Sequence, residues 1–192
     1  MFPCIVKANH SQGDNLILRN NTDVDWKELK ILCRKWLKRD YYACGQEWPY
    51  KNIERKIIVE KLLQTQNAKL PNDYKLHYIN GELEFVYVTV DREGENKRNI
   101  YDADWNPLYF TWYDKSRDSK TLRGKEIPAP TSFNMMKQMG HIIAEYFSYV
   151  RVDFYDVDGR LYFGEITLYH GSGFDVFVPA EYDLFYGNKL KL

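Results

Sequence analysis

The chain has no excess charge of either sign: 27 Lys and Arg balance 27 Asp and Glu. Net charge therefore gives no argument for a nucleic-acid or membrane-surface partner. Long hydrophobic runs are missing, so no stretch reads as a bilayer span, and the N-terminus lacks a signal-peptide pattern. Cysteine is scarce. Cys4, Cys33 and Cys44 form no ligand-spaced cluster and leave an odd thiol over, which points to a reduced, cytoplasmic compartment. The spacing of a Walker phosphate loop is absent, and so is any internal repeat. What the chain does have is aromatic bulk, with 16 Tyr, 10 Phe and 5 Trp among 192 residues. That composition supports a packed core, in one domain or in two small subdomains.

The most informative stretch is Tyr149 to Gly173. Two β-prone runs, rich in Val, Ile, Phe and Tyr, flank Asp158-Gly159 and read as a hairpin. Its charged residues are Arg151, Asp153 and Glu165. A two-residue turn at Asp158-Gly159 would set Val152 opposite Glu165 and send Asp153 to the other face. A three-residue loop, Val157-Asp158-Gly159, would set Arg151 opposite Glu165 and Asp153 opposite Phe163. The second choice gives each face one character, with Arg151, Asp153, Glu165 and Thr167 on one side. Val150, Val152, Phe154, Tyr162 and Ile166 then share the other. The three-residue loop is the expectation adopted.

Two carboxylates and an arginine on a half-buried face must be paired. A cross-strand ion pair between Arg151 and Glu165 would satisfy them. So would a Mg²⁺ site, since two carboxylates suffice for an ion that keeps waters and takes phosphate oxygens. Arg151 would then stabilise charge on a transferring group. Gly171-Ser172-Gly173 follows the second strand, and its backbone N–H groups could line an anion site.

Elsewhere, Cys4–Ala8 and Leu16–Leu18 read as a hairpin around the turn-prone residues 9–15, with Lys7 inside its first strand. Asp25 to Arg39 carries Trp26, Leu29, Leu32, Cys33, Trp36 and Leu37 at helical spacing, with Asp23 or Asp25 as cap. Lys56–Glu60 is a strand, and Gln64–Asn72 a polar hinge between subdomains at 1–65 and 66–192. Asn80-Gly81 is a strong hairpin signal between Tyr74–Ile79 and Glu82–Val90. Asp73 and Lys75 sit at its open end. Asp91–Asn99 reads as a charged loop whose Arg92 and Arg98 could hold a carboxylate or phosphate. Asp114–Lys125 is a second charged loop. A helix follows Pro130, capped by Thr131 or Ser132, with Phe133, Met136, Ile143 and Phe147 inward and His141 off the stripe.

A strand Lys with a following loop, a strand-Glu hinge and a late hairpin bearing Asp and then Glu resemble the ATP-grasp superfamily. The wording is similar to its TupA-like family, linked to cell-surface polysaccharide and teichuronopeptide biosynthesis. The matching segments are VKANHSQG, EWPYKNI, IIVE, DYKLHYINGE, RNIYDADWN, VRVDFYDVDGRLYFGEIT and GSGF.

The resemblance implies an α+β fold in which two subdomains with antiparallel sheets enclose a nucleotide cleft. It also implies ATP and Mg²⁺ as cofactors, and a ligase reaction through an acyl phosphate. By position, Lys7, His10 and Gly13 would meet the phosphates. Glu60, Lys61 and Leu63 would meet adenine, and Asp73 the ribose, with Lys75 nearby. Asp153, Glu165 and Thr167 would hold the metal, and Arg151 would brace the intermediate. Thr167 stands where many relatives have Asn, so one of two metal sites would be altered. Lys7 lies close to Met1, whereas relatives usually carry a further N-terminal region. The resemblance thus implies a missing pre-ATP-grasp segment, with a partner chain as one source of it. Two other classes compete. Asp102-x-Asp104 and Asp156-x-Asp158 match the spacing of sugar-nucleotide glycosyltransferases, and a degenerate nucleotide-binding domain would bind without turnover.

Overall fold

In a computed structural model the described residues are 2–113 and 123–191, so most of the charged loop expected at Asp114–Lys125 lies outside them. The chain divides into two compact units, Met1–Leu63 and Gln64–Leu192.

The first unit is a three-stranded antiparallel sheet packed against one long helix. Its strands are β1 (Cys4–Ala8), β2 (Asn15–Leu18) and β3 (Ile57–Lys61), in the order β2-β1-β3. Alternation puts Cys4, Val6 and Ala8 on one face of β1, where they pack with Leu18 and with Trp36 of helix α1 (Trp26–Lys38). Asp25 caps α1, its Oδ1 accepting from the backbone N–H groups of Lys27 and Glu28. A four-residue helix α2 (Tyr42–Gly45) lies between α1 and β3.

The second unit is a six-stranded antiparallel sheet. Its elements are β4 (Asp73–Ile79), β5 (Glu82–Val90), β6 (Lys97–Tyr101), β7 (Pro107–Leu108), β9 (Tyr149–Val157) and β10 (Arg160–Thr167), ordered β10-β9-β4-β5-β6-β7. Short strands β8 (Thr111–Tyr113) and β11 (Val176–Val178) pair separately. Helix α3 (Phe133–Ala144) covers one face over Tyr74, Leu76, Tyr78, Val150, Val152 and Phe154. On the other face an aromatic cluster built on Phe85, Phe110, Phe177 and Tyr186 takes in the last helix, α4 (Glu181–Gly187). Arg98 lies in β6, not in a loop, because residues 97–101 extend the sheet against β5.

The hairpin of β9 and β10 corrects the expected loop. Arg160 pairs with Val157, so the turn has two residues, Asp158 (φ 53°) and Gly159 (φ 87°). Both are left-handed, as the tight hairpin turn compatible with strand twist requires. The register runs through Tyr162↔Tyr155 and Phe163↔Phe154, so Phe163 sits opposite Phe154, not opposite Asp153, and Tyr162 leaves the helix-facing side. A β-bulge between Phe163 and Ile166 then adds one residue and brings Ile166 opposite Val152 and Thr167 opposite Arg151. The expected polar face survives because the bulge compensates for the shorter turn. Gly164 sits in that bulge, where a Cβ would lie 3.0 Å from the Asp153 carbonyl oxygen.

Ser132 stands at the N-cap of α3 but makes no cap bond of its own. Its hydroxyl donates to Asp156 Oδ2 (2.6 Å), which also accepts from the Ser132 backbone N–H. Within α3, Gly140 permits close approach to a neighbour: a Cβ there would lie 2.3 Å from the buried Tyr78 hydroxyl. Gly140→Ala is therefore expected to destabilise the fold by about 1–3 kcal/mol through overpacking, although alanine is the better helix former by ~1 kcal/mol. Urea unfolding followed by near-UV circular dichroism reads the sign.

Candidate functional site

β4 and β9 run side by side with Lys75 opposite Asp153 and His77 opposite Arg151. Residues two apart share a face, so Asp73, Lys75 and His77 join Tyr149, Arg151 and Asp153 on the side away from α3. The bulge in β10 adds Glu165 and Thr167 to this row.

Arg151 is the hub. Its Nε donates to Asp153 Oδ1 (2.7 Å), and one terminal nitrogen donates to both Asp153 Oδ2 (2.8 Å) and Glu165 Oε1 (2.9 Å). Lys75 Nζ bridges Asp153 Oδ2 (2.7 Å) and Asp73 Oδ2 (2.6 Å). Thr167 Oγ1 reaches Glu165 Oε1 at 3.5 Å. The side chain of Asp153 is only 2% exposed, whereas that of Glu165 is 60% exposed.

The electrostatics follow from this crowding. Burial alone would lower the Arg151 pKa, but the Asp153 carboxylate outweighs it and the guanidinium titrates above its usual value. Burial on its inner side and the neighbouring Asp153 charge push Glu165 above the ordinary carboxylate value, against the pull of Arg151. Asp73 Oδ1 is buried and has no hydrogen-bond partner among the described residues.

Hard oxygen donors at two carboxylates suit Mg²⁺, which takes one or two of them and completes its shell with water and phosphate. Glu165, the open member, and Asp153, joined to it through Arg151, fit that donor chemistry. Among the described residues no cluster of three or more His, Cys, Asp or Glu is arranged to hold a metal. A site here would therefore depend on phosphate oxygens and on Thr167.

The remaining sequence-predicted residues come from both units. In the first unit, Lys7 Nζ pairs with Glu60 Oε2 at 2.7 Å, on the sheet face opposite α1. His10 is buried, and its Nε2 donates to the Trp36 carbonyl (3.0 Å), so it anchors the β1–β2 loop instead of projecting from it. Gly13 has φ +77° and open space around its Cβ position. Lys61 pairs in register with Cys4, at the end of β3, and Leu63 is half-buried.

In the second unit, Arg92 donates to the Pro71 carbonyl and lies over the Tyr155 ring, beside the acidic row. Arg98 donates to Asn96 and lies over Tyr87. The two arginines share no partner among these contacts. Gly171, Ser172 and Gly173 all have φ between 53° and 76°. This left-handed turn commits the Ser172 and Phe174 N–H groups to the carbonyls of Tyr169 and Gly171.

Sequence reasoning missed the end of the row beyond Arg151. His77 is fully buried, with Nδ1 3.0 Å from the Tyr149 hydroxyl and Nε2 without a partner among the described residues. His170 lies 5.4 Å from it ring to ring, and its Nδ1 is 3.0 Å from Asp175 Oδ2. Trp112 packs against both histidines. Period-two reading of β4 from Asp73 and Lys75 would have found His77. The contact with His170 is non-local and has no local signal.

Burial, helped by the nearby His170, Arg151 and Lys75, holds the His77 pKa well below its ordinary value. Below about pH 6.5 the unfolded chain thus binds a proton that the folded chain refuses. The contribution of neutral His77 to stability is complete above that pH and is lost as pH falls. His77→Phe is expected to flatten the fall in melting temperature between about pH 7 and 5 relative to the parent chain, as measured by calorimetry.

Three of the four aspartates in the Asp-x-Asp pairs hold local backbone or cap groups. Asp102 accepts from the Asp104 and Asn106 backbone N–H groups and from the Asn106 side chain. Asp156 holds Ser132 and the Gly159 N–H, and Asp158 accepts from Gln66.

Searches of curated proteins and of solved structures return no match. A family model described as TupA-like ATPgrasp matches residues 3–191, nearly the whole chain. The mixed α+β architecture with antiparallel sheets agrees with that match, and the chain belongs to the TupA-like ATP-grasp family.

Proposed function

We propose that the protein is an ATP- and Mg²⁺-dependent ligase that activates a carboxylate as an acyl phosphate, in cell-surface polysaccharide or teichuronopeptide biosynthesis. Membership of the ATP-grasp family points to an ATP-dependent, ligase-like role. The observation that carries the finer reading is the single guanidinium of Arg151 gripped by both Asp153 and Glu165, with Lys75 behind them. Residues 1–65 would form the small subdomain, and 66–192 the large one with the metal site. The setting would be cytoplasmic. No helix among the described residues is long and apolar enough to cross a membrane.

Asp153 and Glu165 would hold Mg²⁺ with help from Thr167, and the ion would supply charge neutralisation at the phosphates. Lys7 would exchange its Glu60 partner for phosphate, and Lys61 and Leu63 would flank the base. Gly13 would let the loop backbone approach, while His10 would fix the loop base. Asp73 would take ribose hydroxyls, its unpartnered Oδ1 being a ready acceptor. Arg151 would then stabilise negative charge as the acyl phosphate forms and as phosphate leaves. Arg92, Arg98 and the Ser172 turn would bind the carboxylate substrate. The acceptor would be a small molecule or a glycopolymer precursor.

A second reading has one observation in its favour. Both oxygens of Asp153 are already neutralised by Arg151 and Lys75, as a non-catalytic nucleotide-binding domain would tolerate. The glycosyltransferase reading loses support, because Asp102 and Asp156, the first member of each Asp-x-Asp pair, are engaged in a turn and a cap.

Ligand-induced melting shifts and ADP release separate these readings. Saturating Mg-ATP is expected to raise the melting temperature, since about 100-fold excess over Kd stabilises by ~2.7 kcal/mol. UDP-sugars should leave it unchanged. Asp153→Asn and Glu165→Gln should each fold and lose at least about 100-fold in carboxylate-dependent ADP release. Unchanged release in both variants rejects the ligase reading. A Mg-ATP shift with no turnover on any carboxylate supports the non-catalytic one.

A further inference from the structure

We infer that the first unit carries a second binding site, for the aliphatic tail of a single anionic amphiphile, in the groove between α1 and β3. It is independent of the ATP-grasp reading, because none of its lining residues belongs to the proposed nucleotide site.

The groove arises from incomplete cover. The order β2-β1-β3 leaves β3 at the sheet edge, and Val59 of β3 pairs with Val6 of β1, so both point to the α1 side. Val6 is 4% exposed beneath the helix, whereas Val59 is 54% exposed. The helix thus roofs one part of this face and leaves the β3 part open. The resulting cavity of about 490 Å³ falls within the range of small-molecule sites, roughly 300–1,000 Å³.

The lining names the ligand chemistry. Ten of the twelve lining residues are apolar, and the other two are Lys30 and Arg34. Trp26, Lys30 and Arg34 follow one another at four-residue steps, so they form a single lip of α1. Among the described residues no hydrogen bond or ion pair engages Lys30 or Arg34. The side chains that line the groove can pair almost none of a peptide's amide groups, and buried amides left unpaired are costly. An alkyl chain makes no such demand. Two unpaired cations about one helical turn apart would take one carboxylate or phosphate head at the mouth. The cavity volume suits one chain, not a bilayer surface.

Dodecyl phosphate, kept below its micelle threshold, tests this on the full chain by isothermal calorimetry. One saturable site is expected, with dodecanol binding at least about tenfold more weakly. The surface double variant Lys30→Glu/Arg34→Glu should lose at least about tenfold in affinity for dodecyl phosphate. Val59→Glu, at an exposed lip, should abolish the site while keeping the parent circular-dichroism spectrum. Dodecyl phosphate should also slow alkylation of Cys33, which lines the groove. No saturable binding, or equal binding of dodecanol and dodecyl phosphate, overturns the assignment. Binding only to phosphatidylglycerol vesicles overturns it in favour of a membrane surface. A dimer by light scattering that Val59→Glu dissociates overturns it in favour of a second copy.

Discussion

The polar face of the second unit depends on the sharing of Arg151. Asp153 is almost wholly buried, and an isolated ionised carboxylate in that position would be untenable. Arg151 and Lys75 neutralise it, and Arg151 draws in Glu165 at the same time. The arrangement concentrates opposing charges where Glu165 is the one member mostly exposed to water, and Arg151, Lys75 and Asp73 are largely buried. Buried ion pairs of this kind are weak devices for stability, because desolvation offsets most of their attraction. Their presence on one face, opposite an apolar face packed against α3, agrees better with a role in binding than with one in folding.

This arrangement was partly legible in the sequence. Side-chain parity along Tyr149–Thr167 groups Arg151, Asp153, Glu165 and Thr167, as the structure does, but by a different local route. Parity alone requires a three-residue loop, whereas the chain uses Asp158-Gly159 as a two-residue turn and recovers the register at the bulge. Asp-Gly favours the short turn, and Gly164 was the only hint of an irregularity within the strand. Each error taken alone would have misplaced Glu165. The helix at 26–38 and the Asn80-Gly81 hairpin were readable because their signals are local and periodic. The β8–β11 pairing and the meeting of His77 with His170 were not, since both join residues far apart in the chain.

Pairing also qualifies several residues that the family resemblance nominates. Lys7 with Glu60, and Lys75 with Asp73 and Asp153, are already satisfied, so nucleotide binding would have to exchange partners and not merely fill vacancies. Exchange of one charged partner for another keeps desolvated groups paired throughout. His10 shows the opposite outcome. With its Nε2 on the Trp36 carbonyl, it ties a loop to the end of a helix, and its chemistry is spent on architecture.

The bulge at Gly164 has a consequence outside the site. β10 is the edge strand of the six-stranded sheet, and a regular edge presents a ladder of free backbone groups to any other extended chain. An extra residue breaks that ladder's spacing and twists the strand out of plane. The irregularity that turns Glu165 toward its partners thus also makes the rim a poor template for self-association. Deleting that single residue would both reverse the acidic side chain and leave the sheet open to aggregation.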